Sequence, residues 1–340
     1  MEISDELRIE LTRLIAEGGM GSIHECVIYG VEGFEKLACV KLIKKAFFQN
    51  AEFVKRFIAE AKLVADLVHQ NIVQVYKLGS FGNQYFILME YVNGVDLHDF
   101  IQKHKAENVK FPVDLGVFIV SRICRGLEYA HNKKDKYNRL LGIVHRDISP
   151  KNIMISTEGE VRITDFGVAL TGNVEEKDGQ YLVGKAAYMS PEQVMMKPVD
   201  KRSDIFSLGI LMFELLTDQR LFGGAGNSEK VMKDVLSKEI PLPSTLNPDI
   251  PESLEKIILK ALERDVEKRY QDAGELGRDL EYFIYHKGYG PTIQTIATYL
   301  NKIFPDMYEV KNATDLQETI MISKDQVQEK ENPDETIIKK

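Results

Sequence analysis

The chain changes its hydrophobic period once, and that change restricts the architectures open to it. Between residues 8 and 43, short β-prone runs such as "SIHECVIYG" and "LACVKLI" are broken by glycine, and "NAEFVKRFIAEAKLVADLV" then places its apolar residues at helical spacing. Two further β-like runs, "IVQVYKLGSF" and "QYFILMEYV", lead into "NGVDLHDFI", after which helical patterns dominate from about 113 to 286. Strands gathered first and helices second predict an α+β chain. A small strand-rich lobe with one main helix, about 8–92, should join a larger helical lobe, about 93–286, through a linker near 90–94. After Pro291, "TIQTIATYLNKIF" predicts one more helix within an extension at 287–310, and the polar text of 311–340 should be disordered.

With 340 residues, 44% of them hydrophobic, the chain is long enough for sizeable cores in roughly two domains. A net charge of −8 repels polyanions and argues against nucleic acid as the main partner. Cys26, Cys39 and Cys124 are scattered and lack C-x-x-C spacing, so neither a disulfide framework nor a zinc site is expected. The amino terminus has no basic region ahead of an apolar one. The most apolar stretch, "IFSLGILMFELL" at 205–216, is too short to span a bilayer. A soluble, cytoplasmic protein is the expectation.

"IAEGGMGSI" at 15–23 sits between two β-like runs, so Gly18, Gly19 and Gly21 occupy a hairpin where bare backbone could approach phosphates, or simply form a turn. Lys41 in "ACVK" ends a strand and Glu60 lies on the following helix; alone, the pair reads equally as a surface bridge. "HRDISPKN" at 145–152 then offers Asp147 as acceptor of a hydroxyl proton and Asn152 as an oxygen ligand for a hard cation. "ITDFGVA" offers Asp165 as a second metal carboxylate.

In order and spacing these residues resemble the protein kinase family over about residues 10–286, and "GGMG", "VHRD", "YMSPEQ" and "SDIFSLGILMFELLT" are most similar to the eukaryotic-like (Hanks-type) Ser/Thr kinases of bacteria. The resemblance implies a bilobal kinase fold, with a domain at 8–286 that uses ATP and Mg2+, with Mn2+ as the alternative ion. Lys41 would bind the α/β-phosphates with Glu60 orienting it, Asn152 and Asp165 would hold the metal, and Asp147 would be the base. Glu90 and Val92 match the hinge that reads adenine, Met89 the gatekeeper and Asp96 a ribose contact. Ile23, Cys39 and Met154 would sandwich the adenine. Ala16 stands where the first glycine of the phosphate loop is usual, and Cys39 where alanine is usual; a small buried cysteine there is simple packing or reactive chemistry. Glu192 and Arg269 match a structural ion pair, and Asp204 the buried aspartate that holds the catalytic loop.

Two departures matter. Position 149 usually carries lysine and position 185 threonine, but here they are Ser149 and Lys185. The expectation is a swap in which Lys185 supplies the catalytic cation and Ser149 the hydroxyl; Lys151 is the runner-up. Arg146 suggests control by an anion on the activation segment 165–192, whose hydroxyl candidates are Thr171 and Tyr181. The basic stretch "HNKKDKYNRLLGI" reads as a solvated loop. The implied partners are protein substrates, with a homodimer as a further option. "LQETIMIS" and "PDETIIKK" set Thr319 and Thr336 after acidic residues as candidate autophosphorylation sites for a phosphothreonine reader such as a forkhead-associated domain. A pseudokinase scaffold is the alternative, and a small-molecule phosphotransferase is disfavoured by the "YMSPEQ" shelf.

Overall fold

The computed structural model describes residues 8–18, 21–44, 51–81, 84–166, 186–223, 228–308 and 320–322. The chain divides into two compact units. The first comprises Met1–Val54, Val75–Tyr91 and Lys311–Lys340, and the second Lys55–Gln74 and Val92–Val310. Residues 55–74, expected in the strand-rich lobe, group with the helical one.

In the first unit, β1 (Arg8–Glu17), β2 (Gly21–Tyr29), β3 (Glu35–Ile43), β4 (Val75–Phe81) and β5 (Gln84–Glu90) form an antiparallel sheet in the order β4-β5-β3-β2-β1. Side chains alternate across a strand, so each contributes every second residue to one face. Ile9 and Leu11, Cys26 and Ile28, Ala38 and Val40, and Phe86 and Leu88 form the core on that face, with Leu42 and Phe81 packed against it. Gly21 opens β2 so close to β3 that a Cβ would stand 2.0 Å from the Leu42 carbonyl oxygen. Only glycine fits there. A sixth strand, β9 (Ile320–Ile322), pairs antiparallel with β1. Structure therefore occurs within the 311–340 stretch expected to be disordered.

Helix α1 (Ala51–Ala65) covers the helical pattern read after β3. The second unit holds a small sheet of β6 (Gly94–Asp96), β7 (Ile153–Ser156) and β8 (Val161–Ile163), and the helices α2 (Leu97–Glu107), α3 (Val113–His131), α4 (Pro191–Val194), α5 (Lys201–Thr217), α6 (Ser228–Ser237), α7 (Pro243–Leu246), α8 (Glu252–Ala261), α9 (Ala273–Tyr285) and α10 (Ile293–Ile303). From Ser203 to Thr217, α5 is buried on every side, as a helix apolar all round must be. It forms the centre of this unit, beside α3. The expected solvated loop at 131–143 is a braced hairpin: Asp135 N–H donates to Arg139 O at 2.9 Å and Leu141 N–H to Lys133 O at 2.9 Å.

The helix expected after Pro291 is α10, and it belongs to the second unit. A capping box of Thr292 and Thr295 starts it. Tyr299 Oη lies 2.8 Å from His104 Nε2 on α2, and Tyr308 Oη donates to Thr157 O at 2.8 Å. Gly159, at φ +85°, lies so near α10 that a Cβ would meet the Ile293 oxygen at 2.1 Å.

Candidate active site

The loop 145–152 is held from beneath by one buried carboxylate. Asp204, near the start of α5 and 1% exposed, accepts from the backbone N–H of His145 at 2.8 Å, from that of Arg146 at 2.7 Å and from His131 Nε2 at 2.8 Å. Burial alone would raise the Asp204 carboxyl, but the His131 hydrogen bond, neighbouring histidine charge and backbone donors outweigh it and hold it below the usual aspartate range. These bonds keep Arg146 at φ 66°, a left-handed conformation that a non-glycine residue adopts only under constraint. Gln193 Nε2 adds a bond of 2.8 Å to the Arg146 carbonyl. Arg146 Nε is buried with no hydrogen-bond partner among the described residues.

His145 is fully buried and sets the order of the loop. Its Nδ1 accepts from Asp147 N–H at 3.2 Å, which leaves the proton on Nε2 to bond Thr164 O at 3.0 Å. Its ring packs against Phe166, with centroids 4.6 Å apart. Asn152 closes the arrangement. Its Nδ2 donates to Asp147 O at 2.7 Å and to Asp147 Oδ2 at 3.2 Å, and its carbonyl accepts from Thr164 N–H at 2.9 Å. Asp147, Asn152 and Asp165 are thereby brought together by bonds that pass through Thr164. Asp165 itself adopts φ 56°.

The amide nitrogen of Asn152 is committed to Asp147, so its Oδ1 and the Asp165 carboxylate are the oxygens of this loop that could hold a cation. Both are hard oxygen donors of the class that suits Mg2+. Among the described residues no group of three or more His, Cys, Asp or Glu forms a self-sufficient metal cage. Two protein oxygens are the number that a Mg2+ ion sharing its shell with phosphate oxygens and water ordinarily takes.

On β6 and β7, Asp96 and Met154 are directly paired. Asp96 Oδ1 caps α2 by accepting from Asp99 N–H at 2.8 Å; burial raises its carboxyl, while the charge of Lys151 acts in the other direction. In the first unit the sheet face opposite the core gathers a second set: Cys39 pairs with Met89, Lys41 with Ile87, and Ile23 with Lys41. Ala16 pairs with Ile23, and Glu90 with Ala38. Gly18 N–H donates to Gly21 O at 2.8 Å, closing the hairpin that links β1 and β2. The chain passes from the first unit to the second between Tyr91 and Val92. Gly19, Lys185, Thr171, Tyr181 and the Glu60 side chain lie outside the described residues.

Behind α4, Arg269 Nη1 meets Glu192 Oε1 at 2.8 Å, with side chains 0% and 9% exposed. Ser203 Oγ donates to the same oxygen at 2.7 Å. The expected structural ion pair is present. Sequence reasoning missed the roles of His131, Thr164 and Gln193, which fix the loop from distant positions, and of His145 within it. Only the adjacency of His145 to Arg146 hinted at any of them.

A strand-rich unit, a helical unit and this loop define the protein kinase class. Residues 9–276 match the family described as the protein kinase domain, and the chain belongs to that family. It is 39% identical over 278 residues to tyrosine-protein kinase MasK of Myxococcus xanthus, covering 81% of this chain and 42% of that protein. It is 34% identical over 277 residues to serine/threonine-protein kinase PrkC of Bacillus subtilis, covering 81% and 40%. The chain thus spans about two fifths of the length of these curated relatives. The kinase domain of Mycobacterium tuberculosis PknI shares the fold with a TM-score of 0.61 at 23% identity, covering 80% of this chain and 93% of that one. Helix α10 lies beyond the family match.

Proposed function

We propose that the chain is an ATP- and Mg2+-dependent protein kinase that transfers the γ-phosphoryl group to serine and threonine hydroxyls of proteins. The observation that carries this reading is the hydrogen-bonded set of Asp147, Asn152 and Thr164 beside Asp165.

Asp147 accepts the proton of the attacking hydroxyl, and Asn152 fixes its carboxylate by donating to Oδ2. Asn152 Oδ1 and Asp165 would hold the divalent ion, which when bound would supply positive charge to neutralise the transferring phosphates. Lys41, steadied by Glu60, binds the α/β-phosphates. Gly18, Gly19 and Gly21 present backbone to the phosphates, with Ala16 at the start of that loop. Glu90 and Val92 read the adenine edge beside Met89; Ile23, Cys39 and Met154 enclose the ring; Asp96 meets the ribose. Catalysis by such a set is positioning and charge stabilisation. Lys185 supplies the cation usual at position 149, with Lys151 as the other candidate. Mn2+ has the same ligand preference and is the alternative ion.

Serine and threonine are favoured because PrkC and relatives called PknB carry that designation, although MasK is named a tyrosine kinase. No described helix is long and apolar enough to cross a membrane; a cytoplasmic signalling role, autophosphorylation, a homodimer and forkhead-associated readers of Thr319 or Thr336 belong to the same proposal. A pseudokinase scaffold has no support from these residues. Incubating the protein with labelled ATP, Mg2+ and a mixed acceptor protein, then mapping the label, tests the reading. Label on serine and threonine is expected; label confined to tyrosine would overturn the acceptor class.

A further inference from the structure

The first unit carries a feature that phosphoryl transfer does not use. Without β9, the outer edge of β1 would be a ten-residue strand with unpaired backbone groups, the kind of edge that proteins cover or blunt. Here the chain covers part of it with its own tail: Ile320 stands opposite Leu11, Met321 opposite Glu10 and Ile322 opposite Ile9. Leu11 and Ile9 are core residues, each 4% exposed, while Glu10 is partly exposed and pairs with Arg8 at 3.5 Å. The register therefore places Ile320 and Ile322 opposite the two core positions. A one-residue slip would break that match.

The tail spells the docked segment twice. Glu318-Thr319-Ile320-Met321-Ile322 is repeated as Glu335-Thr336-Ile337-Ile338-Lys339. Aligned on the threonines, Ile337 takes the place of Ile320, Ile338 that of Met321 and Lys339 that of Ile322. The second copy thus has the aliphatic residue that would face Leu11 and lacks the one that would face Ile9.

We propose that the outer edge of β1 is a strand-docking site for the Thr-Ile-aliphatic segments of the tail, occupied in cis by residues 320–322 and, when these leave, by residues 337–339. A strand of three residues makes few backbone bonds, each contributing little net stability, so the resident strand is exchangeable. Both copies belong to the same chain as β1, so docking of either is an intramolecular event. The connection from Tyr308 spans residues 309–319 for the first copy and 309–336 for the second. Lys339 in place of Ile322 favours the first copy.

Disulfide trapping in the full-length, nucleotide-free protein tests this. Cys26, Cys39 and Cys124 are all buried, so introduced surface thiols react with little interference. Three double variants are oxidised with oxidised glutathione: Glu10→Cys with Met321→Cys, Glu10→Cys with Ile338→Cys, and Glu10→Cys with Lys330→Cys as a control in the spacer. An intrachain disulfide should form fastest with residue 321, several-fold slower with residue 338, and slowest with residue 330. Adding Ile320→Pro and Ile322→Pro disfavours the resident strand, because proline cannot donate to a ladder, and should raise the rate at residue 338 several-fold while leaving residue 330 unchanged. The proposal is overturned if residue 321 reacts no faster than residue 330. It is also overturned if residue 338 gains nothing when the first strand is disabled, or if the disulfides link separate chains. Thermal melts of each reduced variant, expected to match wild type, show that the sheet is intact.

Discussion

Asn152 holds Asp147 with a single amide nitrogen, which donates to the aspartate's backbone oxygen at 2.7 Å and to its carboxylate at 3.2 Å. The bond to the backbone sets the loop, and the bond to Oδ2 aims the carboxylate. Asn152→Ala removes both, together with the amide oxygen assigned to the cation. Phosphoryl transfer should fall by about 10²–10³ at saturating ATP, the scale for losing one preorganised contact, with only a small shift in the melting temperature. Steady-state kinetics and a thermal melt check the two halves separately.

Asp204 ties catalysis to stability. Asp204→Ala leaves His131 and two backbone donors without their acceptor inside the fold, and should destabilise the protein by about 3–5 kcal/mol. Because its folded-state carboxyl titrates below the ordinary aspartate value of about 3.9, its contribution is full above that pH and is lost as pH falls through the lower folded value. Acid denaturation followed by circular dichroism should show a shallower acid limb in Asp204→Asn than in wild type.

The buried pair of Glu192 and Arg269 gives a second stability test. Arg269→Met alone leaves the buried Glu192 charged without its guanidinium partner and should lower stability by about 3–5 kcal/mol. Arg269→Met with Glu192→Met removes both charges and should recover much of that loss. A urea-unfolding cycle measures the difference.

The exchanged residues at positions 149 and 185 predict a rescue. Lys185→Thr alone should reduce the transfer rate by about 10²–10³, and Ser149→Lys added to it should restore most of the activity. If Lys151→Ala is instead the damaging change, Lys151 is the cation. Single-turnover rates with saturating ATP distinguish the two.

The sheet of the first unit was readable because alternation is a local signal: Ile9 and Leu11, Cys26 and Ile28, and Phe86 and Leu88 are each two residues apart and share one face. Strands β7 and β8 were not, since four and three residues are too few to display a period within a helical context. Lys41, Asp147, Asn152 and Asp165 were read from short motifs whose spacing is preserved along the chain. The resemblance assigned Asp204 to holding the loop, and it does so through the His145 and Arg146 backbone donors 59 and 58 positions away; the added bond from His131, 73 positions away, is one that no local pattern encodes. Helix α10 was visible as an amphipathic run, but its docking on α2 through Tyr299 and His104 was not. The pairing of residues 320–322 with β1 was hidden for another reason: composition marks the surrounding text as too polar to fold, and a three-residue strand does not alter that average.

The most direct measurement compares autophosphorylation of wild type with Asp165→Asn, using labelled ATP and Mg2+ and mass spectrometry to locate the phosphate. Wild type should label itself, with Thr319 or Thr336 among the modified residues, and Asp165→Asn should lose the activity by more than about 10²-fold, the scale of a preorganised charge contact, while melting within a few degrees of wild type. Asp165→Asn activity within about tenfold of wild type, equivalent to only about 1.4 kcal/mol of transition-state stabilisation, would contradict the account.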